Sequence, residues 1–181
     1  MNNNSEVRVL LSEDEIKRKV ADMAKEICCD YKDKNLLMVG LLKGCVVFMS
    51  DLMRQIDVDC AIDFMCVSSY RDSTQTSGVV KIIKDLDIDI SNSDVLIVED
   101  ILDSGLTLNY IINILENKNP RSIKICALLD KPARRQSEVE LNYLGFTIPD
   151  EFVVGYGLDY GEKYRNLPYI AILSPSVYEE S

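Results

Sequence analysis

At 181 residues and 47% hydrophobic side chains, the chain has room for one substantial core but is too short for two full-sized domains. A formal net charge of −10 would repel a phosphate backbone, which argues against DNA or RNA as a partner. No apolar run reaches the roughly 18 residues of a membrane helix, and no signal-peptide pattern opens the chain, so a soluble, cytoplasmic protein without membrane contact is expected. The six cysteines form no C-x-x-C pair, and several lie inside apolar runs, the pattern of reduced small hydrophobes. Histidine is absent. That removes Ser-His-Asp and Cys-His nucleophile systems and histidine-ligated zinc, and leaves acid–base chemistry to carboxylates, Lys, Tyr or Cys.

In chain order, the polar start, residues 1–9, is expected to be frayed, with a single domain over 10–181. Ser12 and Glu15 have capping-box spacing, and Ile16, Val20, Met23, Ala24 and Ile27 follow at helical spacing. LLMVGLL (36–42) is a continuous apolar run of strand length; after Lys43-Gly44, the residues Val46, Met49, Leu52, Met53 and Ile56 resume helical spacing. AIDFMCVSSY (61–70) and VVKIIKDL (79–86) read as strands joined by the polar loop RDSTQTSG. DVLIVED (94–100) is a further buried strand, LTLNYIINILENK (106–118) a helix ending near Asn119-Pro120, and SIKICALLDK (122–131) the next strand. Buried strands alternating with helices predict an α/β fold, a doubly wound and mostly parallel sheet flanked by helices. Ligands in such sheets sit at the carboxyl ends of the strands, here at Lys43-Gly44, at Glu99 to Thr107 and from Lys131 onward.

The central loop carries the most chemistry. Asp103-Ser104-Gly105-Leu106-Thr107 enters a helix, where free N–H groups and the positive dipole end favour an anion and two hydroxyls add donors. Taken alone, D-S-G is more often an ordinary N-cap. Glu99 and Asp100 just before it would repel each other unless a cation or a hydroxylated ligand lay between them. A phosphorylated sugar with vicinal hydroxyls, accompanied by magnesium, satisfies all of these groups.

VLIVEDILDSGLT (95–107) resembles the phosphoribosyl pyrophosphate signature of type I phosphoribosyltransferases. Leu42-Lys43-Gly44-Cys45 is similar to the pyrophosphate loop of the hypoxanthine-guanine branch, Ser69-Tyr70 to the start of its mobile lid, Asp130-Lys131-Pro132 to its purine-reading segment, and FVVGYGLDYGEKYRNLP (152–168) to its C-terminal purine and pyrophosphate segment. The resemblance implies a small hood built from N- and C-terminal segments beside the main sheet. It further implies transfer of the phosphoribosyl group to N9 of a 6-oxopurine, with Asp103 as the base that takes the N7 proton. Glu99, Asp100, Asp103, Ser104, Gly105, Leu106 and Thr107 would then bind ribose and 5'-phosphate. Lys43, Gly44 and Arg165 would bind pyrophosphate, and Lys131, Phe152, Val153 and Asp159 the purine. Magnesium would be held near Glu99, Asp100 and Asp159. In the family the peptide at Leu42-Lys43 is often cis, and members form homodimers or homotetramers.

Three alternatives stay open on sequence. One is an idle member of this fold that regulates by binding RNA, which the acidic charge disfavours. Another is a xanthine-preferring enzyme. The third is a signalling receiver domain, which shares VLIVED and Lys-Pro but needs more chain after the acidic pair.

Overall fold

Burial on both faces of the central strands sets the architecture of the computed structural model, which describes residues 6–69 and 80–178. In β2 (Leu36–Leu42), Leu36 and Met38 join one core cluster while Leu37, Val39 and Leu41 join another; β5 (Asp94–Leu102) divides in the same way. An unbroken apolar run is what a strand covered on both sides requires. The first cluster holds α1 (Glu13–Tyr31) and α2 (Val46–Met53) against the sheet, and the second holds α3 (Leu106–Glu116). With β3 (Cys60–Ser69), β4 (Val80–Lys84), β6 (Ser122–Asp130) and β7 (Tyr143–Thr147), the sheet runs β4-β3-β2-β5-β6-β7. All pairings are parallel except the antiparallel β3–β4. The chain winds outward from β2 to β4 and returns to β5, so the order reverses between β2 and β5. Their carboxyl ends form the crevice where a doubly wound sheet takes its ligand.

The helices start as their sequences predict. Ser12 N donates to Glu15 Oε2 at 2.8 Å and Glu15 N to Ser12 Oγ at 3.4 Å, a complete capping box, and all five periodic apolar residues of α1 are buried. Two helices stop earlier than their periodicity suggests. At the end of α2 the amides of Gln55 and Ile56 bond to Leu52 and Met53, tightening the last turn, so Ile56 packs on the core from beyond the helix. α3 closes at Glu116 in the same way.

A second, three-stranded antiparallel sheet, β1-β9-β8, is the expected hood: β1 is Val7–Leu11, β8 Val153–Val154 and β9 Ile170–Leu173, followed by the short α4 (Pro175–Tyr178). For residues 7–9 this corrects the expectation of a frayed start over 1–9; residues 1–5 lie outside the described residues. Val7 pairs with Leu173 and Arg8 with Ile172, and Ser174 N donates to Glu6 O at 2.8 Å. The polar run hides a five-residue strand whose backbone partners lie at the other end of the chain. Of the expected lid, Ser69 is the last residue of β3, whereas Tyr70 and the loop through 79 lie outside the described residues. Among the described residues no helix is long and apolar enough to cross a membrane.

The return from β4 depends on one buried carboxylate. Asp63 accepts from the amides of Phe64 (2.7 Å), Asp87 (2.7 Å) and Ile88 (3.1 Å), and from Lys84 Nζ at 3.3 Å. Burial pushes this carboxyl upward, but the three amides and the ammonium outweigh it and hold it below the ordinary range. A depressed folded-state value means the stabilisation is complete above the unfolded pKa and is lost as pH falls through the folded one. Asp63→Ala, which strands those donors, is expected to cost about 2 to 3 kcal/mol in urea unfolding at neutral pH. The deficit should shrink in strongly acidic solution; a pH-independent deficit would deny the carboxylate this role.

Candidate active site

Four segments meet at the crevice between β2 and β5: the loop after β2, the β5–α3 loop, the β6 exit and the hairpin after β8. They enclose a cleft of about 320 Å³. Lys43, Gly44, Asp100, Asp103, Lys131, Phe152, Val153, Asp159 and Arg165 all line it, so nine of the sequence-derived site residues, from segments more than 100 positions apart, share one space. Glu99, Ser104, Gly105, Leu106 and Thr107 are not in its lining and belong to the strand end and helix entry behind it.

The loop after β2 is built by close approach. The Leu42-Lys43 peptide is cis, and a Cβ at Gly44 would overlap the Asp100 carboxylate, so glycine lets the loop approach that carboxylate without displacing it. On β5, Glu99 and Asp100 are partly buried and adjacent. Burial pushes both carboxyls up; Asp100 adds to the effect on Glu99, while the Ile101 amide (2.9 Å from Asp100 Oδ1) and Arg165 oppose it at Asp100. Glu99 Oε2 is sealed from solvent without a hydrogen-bond partner among the described residues. Such a pair wants a cation or donors from a ligand.

Asp103 begins the turn into α3. Its Oδ1 is likewise buried and unpartnered among the described residues. Gly105 is the N-cap of α3 at φ +81°, a left-handed conformation suited to glycine, and a Cβ there would strike the Ser137 carbonyl. Just beyond it the Leu106 amide donates to Ser104 Oγ at 3.4 Å and the helix begins, an end whose amides and dipole favour phosphate.

At the other wall, Lys131 is 5% exposed, and its Nζ donates to the Glu151 carbonyl at 2.9 Å. Burial lowers its pKa, and the nearby Asp103 carboxylate resists that. Phe152 packs edge-on against Tyr160 and tilted against Tyr178, with centroids 5.7 and 5.4 Å away. Arg165 donates Nη1 to Gly157 O at 2.7 Å and pairs through Nη2 with Asp159 (2.9 Å) and Glu162 (3.3 Å). Glu162 also pairs with Lys43 at 3.0 Å.

Compared with known protein families, residues 8–161 match the phosphoribosyl transferase domain. The chain belongs to the phosphoribosyl transferase domain family. It is 52% identical over 172 residues to the hypoxanthine-guanine phosphoribosyltransferase of Bacillus subtilis, covering 95% of this chain and 96% of that protein. It is 51% identical over 173 residues to the bifunctional protein TilS/HprT of Listeria monocytogenes, covering 96% of this chain but only 27% of that longer protein. Among solved structures, a hypoxanthine phosphoribosyltransferase from Staphylococcus aureus superposes with a TM-score of 0.93 at 51% identity, covering 97% of this chain and 95% of that one.

Glu99, Asp100 and Asp159 do not form a ready metal cage; among the described residues no three acidic, cysteine or histidine side chains do. Asp159 is held instead by Arg165 and by the Glu162 amide at 2.9 Å. A buried acidic pair next to an arginine-bound carboxylate leaves the remaining ligands of any cation to come from substrate. Sequence reading also passed over Ile101, Arg134 and Leu158, which line the cleft. Ile101 and Leu158 read as core, while Arg134, two residues past a Lys-Pro turn, carried no distinguishing signal.

Proposed function

We propose that the chain transfers the 5-phosphoribosyl group from phosphoribosyl pyrophosphate to N9 of hypoxanthine or guanine, releasing pyrophosphate and giving inosine or guanosine monophosphate, a purine salvage reaction in the cytoplasm. One juxtaposition carries the reading: Asp103, whose buried Oδ1 has no partner among the described residues, lines the same cleft as Lys131, Phe152, Lys43 and Arg165. The names of the relatives support the same substrates.

In this reading Ser104, Thr107 and the amides from Gly105 and Leu106 onward bind the 5'-phosphate, and Glu99 and Asp100 face the ribose. Lys43, Gly44 and Arg165 bind pyrophosphate. Lys43 and Arg165 share Glu162 as a partner, so pyrophosphate replaces one carboxylate with a more highly charged ligand. Lys131 donates to the purine O6, Phe152 stacks on the ring, and Val153 and Asp159 border its pyrimidine edge. Asp103 takes the N7 proton as N9 attacks, and no histidine competes for that role. The orphaned Glu99 oxygen and the raised Asp100 carboxyl fit a magnesium ion, which commonly takes one or two protein carboxylates and completes its shell with substrate oxygens. When bound there, it would neutralise charge on the pyrophosphate leaving group. Assembly as a homodimer or homotetramer belongs to the same proposal.

Turnover with phosphoribosyl pyrophosphate and magnesium, offering hypoxanthine, guanine, xanthine and adenine separately, tests the reading. Hypoxanthine or guanine should react readily and adenine on the order of 10⁴ less efficiently, because its amino group would face an ammonium donor. Binding of the sugar without turnover of any purine would sink the enzyme and favour the RNA-binding regulator.

A further inference from the structure

Among the described residues nothing bonded to the Asp103 Oδ1 atom fixes its aim, and the backbone of its loop is what holds it. The carbonyls of Leu102, Asp103 and Ser104 are all engaged by one segment. Leu102 O accepts from Lys131 N at 2.9 Å, Asp103 O from Arg135 Nε at 3.1 Å, and Ser104 O from the amides of Gln136 (2.9 Å) and Ser137 (3.0 Å). Residues 131–137 thus run as a strap along 102–104. Among the described residues, every bond from the strap to 102–104 is backbone to backbone except the one to the Asp103 peptide, which comes from a side chain. The same guanidinium pairs through Nη2 with Asp130, the residue before Lys131. Arg135 and Asp130 are 20% and 15% exposed, so water competes weakly for the contact.

Resting on the phosphoribosyl transfer reading, we propose that Arg135 is a positioning residue. It holds the Asp103 peptide in register with the Lys131 segment, so that the proton acceptor and the purine-reading ammonium stay at a fixed separation. Arg135 touches no substrate in this scheme and acts through Asp103. Its neighbour Arg134 differs, lining the cleft and pairing with Asp150 at 2.5 Å. Only a guanidinium can serve both partners: Nε and Nη2 form a rigid fork, whereas a lysine offers one point of contact.

The test uses the whole chain with Arg135→Lys and Arg135→Gln, each alone and combined with Asp103→Asn. Both single variants should lose about 10- to 100-fold in kcat for hypoxanthine, the size expected when a reacting group is displaced by an ångström or so, with KM for phosphoribosyl pyrophosphate little changed. On the Asp103→Asn background the same changes should cost almost nothing, since the group they position is already gone. An equal loss on both backgrounds would mark a merely structural arginine and overturn the proposal. So would full activity of Arg135→Lys, because a charge pair with Asp130 would then suffice. Amide hydrogen exchange supplies a readout independent of turnover: Ser104 and Gly105 should exchange faster in Arg135→Gln than in wild type, and unchanged rates overturn the proposal. An inactive wild type with this exchange response would count against the transferase reading and leave the positioning contact supported.

Discussion

Asp103→Asn is expected to lower kcat for hypoxanthine by about 10² to 10⁴ while leaving KM for phosphoribosyl pyrophosphate nearly unchanged, the mark of a group that matters in the transition state and not in ground-state binding. Asparagine keeps the size and shape of the side chain but cannot accept a proton. The loop should keep its path, because its carbonyls are bonded by the 131–137 segment and not through the Asp103 carboxylate. Thermal stability should hold or rise, since a buried carboxylate oxygen without a partner is a cost to the free protein. Single-turnover kinetics with saturating substrates, alongside a melting curve, would check both halves. A variant that keeps most of its rate would remove the carboxylate from the proton-transfer step, and one that melts much earlier would make it a structural anchor.

How far the fold could be read in advance depended on how local its causes were. β2, β5 and β6 were legible because strands covered on both faces need continuous apolar runs, and α1 announced itself through the Ser12–Glu15 box. The turn from β5 into α3 was legible for a related reason: paired acids at a strand end, followed by Asp-Ser-Gly at a helix start, combine several local physical demands in thirteen residues. β1, β7 and β8 were not. Each has five residues or fewer, and β1 and β8 exist only because β9 stands between them. The ionic organisation of the cleft was equally hidden. Lys43 meets Glu162 across 119 positions, and Arg165 takes the Asp159 carboxylate that sequence resemblance had placed near a metal. No spacing rule encodes such pairings, because they follow from where the hood hairpin lands on the main sheet. Arg135 was silent for the same reason, since its partners are a backbone carbonyl and a carboxylate brought together by the turn after β6.

Lys131→Met should change which base is used more than how well the protein folds. The ammonium is nearly sealed from water and donates to the Glu151 carbonyl, leaving its other protons to face the cleft. Methionine fills a similar volume without the charge, so the site loses its donor to the purine O6 and also its clash with an amino group at that position. The expected result is a fall of about 10² to 10⁴ in kcat/KM for hypoxanthine, with adenine losing far less, so that discrimination between them collapses. The alkaline limb of the pH profile gives an independent check. Burial lowers the Lys131 pKa, so its proton leaves at a lower pH than that of an exposed lysine, and kcat/KM for hypoxanthine should fall as pH rises through that value in the wild type. In Lys131→Met that limb should disappear, leaving a flat, low profile. If the limb survives the substitution, another group titrates there; if adenine is rejected as strongly as before, the discrimination lies elsewhere in the cleft, where Lys43, Arg134 and Arg165 are the cations that remain in the lining.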